Sequence, residues 1–382
     1  VTLRFCRSIP VLLGAGILGF LLPLVPVKAQ DAGTALGSVT RLPYNGGAYE
    51  LLWTPDQQRI IIVGEKRLAS YKLSTQWVEW TIPSIHIGSM GGQHAAFIDQ
   101  GRHLLTSAVD WNWQTSTNMD AVFSVIDVAT GRIVRTIRSD INTRVPPPTG
   151  RRYSAGDAFD VSADGKIAVA SAGDSLWTVA FDTSSGRELW RIGPLEQRIS
   201  RVRLLDLPRN RIIETGWRVE AWDIAANRRL SRFNPYGKDA SFSNAILDPT
   251  TGDIIIGAMV GRIPGQPDDE KTAWLVQNVV QAWDPVLGRR IRTYPGPGAN
   301  VQALIASPDG RLLFALKGRD IDVQKPSYVD AWDLRTGQLI GAANFGMAGG
   351  SGLGISPDGR RLAVSSSGYL NIIDLNPNLR SR

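Results

Sequence analysis

Cysteine is almost missing from this 382-residue chain. Its one thiol, Cys6, sits in an N-terminal apolar stretch, so nothing downstream can form a disulfide, a thiolate metal site, a covalent haem linkage or a cysteine nucleophile. Histidine is nearly as scarce, with three residues. No Gly-x-Ser-x-Gly elbow, His-Glu-x-x-His helix, Gly-Lys-Ser/Thr phosphate loop or Ser-x-Asp-x-Gly-x-Thr-Trp box occurs, which removes the commonest hydrolase, metalloprotease, nucleotide-binding and sialidase signatures. The charge balance, 42 basic against 35 acidic residues, is modest and its arginines are spread along the chain, so it carries little argument for nucleic acid or a membrane.

The longest apolar run covers residues 9–27, behind Arg4 and Arg7 and ahead of Val27-Lys28-Ala29. A basic start, an apolar middle and small residues before Gln30 are the parts of an export signal, with cleavage expected after Ala29. Pro10, Pro23 and Pro26 disfavour the alternative, an uncleaved anchor helix. The expectation is a signal peptide over 1–29 and a single domain over 30–382, periplasmic or secreted and not inserted in a membrane. Losing Arg4, Arg7 and Lys28 takes the net charge from +7 to +4. An exported chain without disulfides must be held by burial and strand pairing alone.

Glycine, at 39 residues, and proline, at 22, are plentiful, and they fall at regular places. Residues 301–343 set the pattern: an apolar run to the turn Ser307-Pro308-Asp309-Gly310, a second run, a third ending Ala331-Trp332-Asp333, the turn Leu334-Arg335-Thr336-Gly337, and a fourth. Proline presets the first turn position, Asp accepts local backbone bonds and Gly accepts positive φ, so the unit reads as four antiparallel strands. Weaker copies recur, and their aspartates, Asp127, Asp182, Asp223, Asp284, Asp333 and Asp374, stand 41 to 61 residues apart. That is the spacing of four-stranded propeller blades with loop insertions. Inner strands are expected to begin near Tyr49, Ala95, Ala158, Val202, Ser243, Val301 and Gly352, giving an all-β, seven-bladed propeller. The last copy lacks a fourth strand while residues 37–44 form a strand ahead of any blade, so the N-terminal strand is expected to close the ring. Trp222, Trp283 and Trp332 recur at one position and are expected in the core.

These repeats resemble the WD40 and YVTN-type β-propeller family over roughly residues 38–375. Ala180-Phe181-Asp182, Ser185-Gly186 and Trp190 also resemble the docking motif of quinoprotein propellers, and only that copy carries its final Trp. The chain lacks the Gly-His pair of true WD40 repeats, which favours bacterial relatives. The quinoprotein resemblance implies a redox role, as a propeller subunit of an amine-dehydrogenase-like complex whose cofactor another chain carries.

The turns from first to second and from third to fourth strand are short, whereas the second-to-third and blade-to-blade connections carry the length and open on one side. That side is the expected binding face. On it Trp111 and Trp113 offer alternate aromatic faces suited to a sugar, a peptide or a partner, and Arg151, Arg152 and Tyr153 follow a rigid Pro146-Pro147-Pro148 run and suit an anionic group. His86 and His94 share one loop at a spacing that matches no metal-ligand pattern, and Asp110, Asp120, Asp268, Asp269 and Glu270 show no calcium-loop alternation. The expected function is non-catalytic binding of a protein or small ligand, with no cofactor, no metal and no nucleic acid, as a monomer or a subunit of a hetero-complex. The alternatives are the quinoprotein-type subunit and a metal-dependent hydrolase or lyase using His86 or His94.

Overall fold

The structure is a computed structural model that describes residues 35–44, 46–64, 67–83, 95–108, 111–112, 117–118, 122–138, 159–171, 177–193, 202–216, 218–236, 240–260, 277–296, 300–318, 326–347, 352–366 and 368–379. Seven four-stranded antiparallel sheets account for nearly all of them. Blade one is Glu50–Trp53, Arg59–Gly64, Arg67–Lys72 and Trp77–Pro83. Blade two is Ala95–Ile98, His103–Ala108, Val122–Asp127 and Ile133–Arg138. Blade three is Phe159–Val161, Ile167–Ser171, Thr178–Asp182 and Glu188–Ile192, and blade four is Val202–Asp206, Arg211–Thr215, Val219–Asp223 and Arg228–Phe233. Blade five is Ala240–Leu247, Ile254–Val260, Gln277–Asp284 and Arg289–Tyr294, and blade six is Val301–Ala306, Leu312–Lys317, Pro326–Asp333 and Leu339–Met347. Blade seven joins Leu353–Ile355, Arg361–Ser366 and Tyr369–Leu375 to the N-terminal strand Gly37–Pro43.

The N-terminal strand pairs antiparallel with Tyr369–Leu375, from Gly37 opposite Leu375 to Pro43 opposite Tyr369. The ring is therefore closed by the first strand completing the last blade, which leaves no blade short of an outer strand. Leu36, just ahead of that strand, is fully buried among residues of blades six and seven. At the seam with blade one, a Cβ on Gly354 would lie 2.1 Å from the Leu51 carbonyl oxygen, and the Trp53 indole N–H donates to the Gly354 carbonyl at 3.2 Å. Only glycine lets the two inner strands approach that closely.

Composition follows position across each blade. Second strands such as Leu312–Lys317 are buried on both faces between neighbouring blades, so they read as unbroken apolar runs. The outer strand Trp77–Pro83 alternates exposed and half-buried residues. Trp222 and Trp332 are buried, and Trp283 packs half-buried on the blade four to five core.

Both turn types spend their aspartates locally. Asp309 accepts from the Ser307 hydroxyl at 2.5 Å and from the Arg311 N–H at 3.2 Å, while Gly310 takes φ +68°. Asp333 accepts from the Thr336 N–H at 2.6 Å and hydroxyl at 2.7 Å. Asp182 does the same with Ser184 and Ser185, and these hydroxyls, Ser184 first, hold its carboxyl down at about 2. Blade four's divergent turn becomes a 3-10 turn over Leu207–Arg209 capped by Asn210 at φ +51°.

A β-bulge precedes the second of these turns in all six blades that have it, between Ser70/Tyr71, Val125/Ile126, Ala180/Phe181, Ala221/Trp222, Ala282/Trp283 and Ala331/Trp332. The bulge belongs to the turn, because the outer strand of blade seven arrives from the N-terminus and its pairing runs without a shift. In blade five a further bulge between Phe242 and Asn244 lets the inner strand start at Ala240 rather than near Ser243.

In four blades the residue eight places after the repeating aspartate, or after Lys72 in blade one, donates to the next blade. The Trp80 indole N–H donates to the Val128 carbonyl at 2.9 Å, Arg135 to that of Thr183, Ser231 to that of Pro285 and Arg292 to that of Leu334 at 2.8 Å. Each acceptor directly follows the aspartate of the next repeat. Trp80 occupies the same place in blade one, counted from Lys72, as Trp190 does in blade three. In blade six the place is taken by Gly341, whose Cβ would lie 2.8 Å from Leu36; the N-terminal segment fills it.

Candidate functional site

Short turns and long connections do segregate to opposite ends of the blades, with one correction to the expected pattern. The second-to-third connection is long in blades two, five and six but is only residues 65–66 in blade one, Gly216–Arg218 in blade four and residues 367–368 in blade seven. In those blades the strand ends themselves form the face.

Blade four carries a charged row at that end. Arg203, Glu214, Glu220 and Arg232 stand directly opposite one another across its four strands. Arg203, Glu214 and Glu220 are at most 1% exposed. Glu214 accepts two bonds from the Arg203 guanidinium, at 2.7 and 2.9 Å, and a third from the Thr178 hydroxyl of blade three. Glu220 accepts from the Trp222 indole at 3.3 Å and lies 2.9 Å from Arg218 and 3.4 Å from Arg232. Two carboxylates facing each other inside a protein repel strongly, and guanidiniums on both sides offset that repulsion. Because arginine stays charged, the row carries two positive charges at its ends beside its two carboxyl groups.

Blade six has a smaller counterpart. Lys317 and Asp330, both buried, pair at 2.8 Å, with the Lys317 ammonium 4.9 Å from the centre of the Trp332 ring. The Trp332 indole donates to the Pro295 carbonyl at 2.6 Å, and the adjoining Gly296 sits over the pair, where a Cβ would be 2.8 Å from the Asp330 carboxylate and 3.0 Å from Lys317. Burial pushes the Asp330 carboxyl above its ordinary range, against the pull of Lys317.

Glu220 and Asp330 occupy one repeat position, three residues before the repeating aspartate. Ser124, Gln281 and Asn371 share it and are buried too. The signal was present in the sequence as polar residues interrupting otherwise apolar third strands. It is visible only once the blades are aligned on their aspartates.

The residues singled out from sequence fall mostly elsewhere. His86, His94, Trp113, Arg151, Arg152 and Tyr153 lie outside the described residues, as do Asp110, Asp120, Asp268, Asp269 and Glu270. The backbone of Trp111 opens a two-residue strand pairing with Thr117–Asn118, inside the blade two insertion. His103 begins the second strand of blade two at the short-turn end, with Nδ1 2.7 Å from Asp99, so it stands apart from that face. Among the described residues no cluster of three histidine, cysteine or acidic side chains is placed to hold a metal.

No family model matches the chain, and no curated protein matches it. Among solved structures it is similar to a chain titled Kuenenia stuttgartiensis Hydrazine Synthase, at 15% identity over 87% of this chain and 96% of that one, with a TM-score of 0.63. At that identity the likeness extends to the fold alone: this chain is a β-propeller protein.

Proposed function

We propose that this chain is a binding protein that seats a protein partner or small ligand on its long-connection face and performs no chemistry of its own. The observation that supports this reading is unmet hydrogen-bonding capacity at that end. Arg218 Nη2, Asn300 Oδ1, Gln302 Oε1, Ser327 Oγ and Asn371 Oδ1 are buried without a hydrogen-bond partner, a condition costing about 1–3 kcal/mol per group. At the opposite end the turn aspartates are supplied with donors by their own turns. Buried polar groups left short of partners at this end fit a surface completed by what lands on it. The leader-like residues 1–29 add export, to the periplasm or outside the cell, to the same proposal, and the family we infer is the bacterial YVTN-type propellers.

A second reading, a propeller subunit of a quinoprotein-type redox complex, draws support from the docking tryptophans Trp80 and Trp190. The test for both is recovery of tagged protein from its native extracytoplasmic fraction, beside a variant with Trp111→Ala, Trp113→Ala and Arg218→Ala. A specific partner or ligand recovered at least tenfold less by the variant is expected. Equal recovery would overturn the assignment of this face. A co-purifying quinone- or haem-bearing chain would favour the second reading, and stoichiometric metal lost on His94→Ala would replace both with a metal-dependent hydrolase or lyase.

A further inference from the structure

Arginines that are dispersed in sequence converge on one part of the rim. The outer strands of blades four and five read RRLSRF and RRIRTY, six arginines and no acid on the outer edges of two neighbouring blades. The outer strand of blade four packs on the turn that leads into that of blade five: Ser231 donates to the Pro285 carbonyl, and a Cβ on Gly288 would lie 3.1 Å from the Phe233 ring. Three of the six have structural work. Arg229 lies over the Trp222 ring at 5.9 Å, Arg232 is 3.4 Å from Glu220, and Arg292 donates to the Leu334 carbonyl.

The other three, Arg228, Arg289 and Arg290, are exposed and make no ion pair among the described residues. Their cross-strand neighbours on the acidic side are Asp223, opposite Arg228, and Asp284, opposite Arg289. Both carboxylates are engaged in their own turns, with Ala226 N–H at 2.8 Å and with Val286 and Leu287 N–H at 2.8 and 2.9 Å. Between the arginines two bulky apolar side chains protrude, Leu287 at 68% and Ile291 at 37% exposure. Protection of open sheet edges does not account for this, because the outer strand of blade six, LIGAANFGM, is an edge of the same kind with no charge at all.

We propose that this rim is a docking surface for an anionic phospholipid membrane. Guanidiniums that make no ion pair among the described residues, interleaved with exposed aliphatic side chains on an outer edge, match the two attractions such a surface offers: charge at the headgroups and shallow apolar insertion between them. The contact is peripheral and leaves the long-connection face unencumbered, so it does not depend on what that face binds.

The test is co-sedimentation of the purified protein with vesicles of phosphatidylglycerol and phosphatidylcholine, against phosphatidylcholine alone, at low and physiological salt. Binding is expected to the anionic vesicles and to weaken with salt. Arg228→Glu, Arg289→Glu and Arg290→Glu together should lower it on the order of a hundredfold, and Leu287→Ser alone by roughly threefold; unchanged circular dichroism and Tm establish that these exposed positions still fold. Failure to sediment with anionic vesicles, or sedimentation that the triple variant leaves intact, overturns the proposal. Binding to polyglutamate but not to vesicles, lost in the same triple variant, would reassign the surface to an acidic protein.

Discussion

The two ends of each blade use carboxylates in opposite ways. At the short-turn end Asp127, Asp164 and Asp182 sit at the surface and take hydrogen bonds from residues two or three places along; hydroxyls of Thr130, Ser162 and Ser184 lead in holding them below the usual carboxylate range. At the long-connection end Glu214, Glu220 and Asp330 are fully buried, and the groups that neutralise them come mainly from other strands. A local carboxylate shapes a loop that would form in much the same way in a short peptide. A buried one is tolerable only after the whole blade, and for Glu214 the neighbouring blade, has assembled.

The largest effect that sharpens this contrast is loss of ring closure. Removing residues 35–44 strips blade seven of its outer strand and takes away the buried Leu36, Leu42 and Tyr44, worth roughly 5 kcal/mol or more by apolar burial. Aggregation or the steepest fall in melting temperature of any variant is expected, and a truncated protein as stable as the full one would refute closure by the N-terminal strand.

Next in size is Glu214→Ala, which leaves the Arg203 guanidinium charged and buried. About 3–5 kcal/mol should be lost in urea unfolding, against about 1 kcal/mol for Asp333→Ala at a turn. Similar losses for the two would erase the distinction between the ends.

A further contrast is in the pH profile. Asp160, on the inner strand of blade three, accepts from its neighbour Val161 N–H at 2.8 Å and from Leu205 N–H of blade four at 2.7 Å. It keeps some exposed surface, yet burial of its carboxyl, only partly countered by those bonds and by Arg203, pushes it from 3.8 up to about 7. The unfolded chain gives up this proton first, so the stability it confers is full below about pH 4 and is lost as pH rises through about 7. Asp182 has the opposite sign: its contribution is present above about pH 4 and lost as pH falls through about 2. Asp160→Asn should flatten the pH 4–7 limb of a melting-temperature profile and leave the acid limb intact. A wild-type profile already flat from pH 4 to 7 would count against the raised carboxyl.

Much of the fold was legible because its signals are local and repeat. Ser307 to Gly310 and Asp333 to Gly337 announce turns by chemistry that acts over a few residues, and seven imperfect copies reinforce one another. Closure was legible by elimination, since blade seven lacked a strand and residues 37–44 formed a spare one. The docking position was legible only in part. Trp190 stood out, but Trp80 follows Lys72 and Gln76 where the other copies have Asp and Gly or Asn, and its equivalence emerges from the Val128 carbonyl it reaches. The ionic row was overlooked because Arg203, Glu214, Glu220 and Arg232 are separated by strands and turns and resemble surface charges one by one.

The sequence alone determined the blade, because turn geometry and strand alternation arise from interactions between residues a few places apart. It also determined the number of blades and how the ring shuts. Only the tertiary structure decided which charges are buried and which gather on the rim. Register sets Glu214 opposite both Arg203 and Glu220, and the packing of blade four's outer strand on the turn of blade five sets their arginines side by side on the rim. Both depend on pairings between distant segments, and no local pattern encodes them.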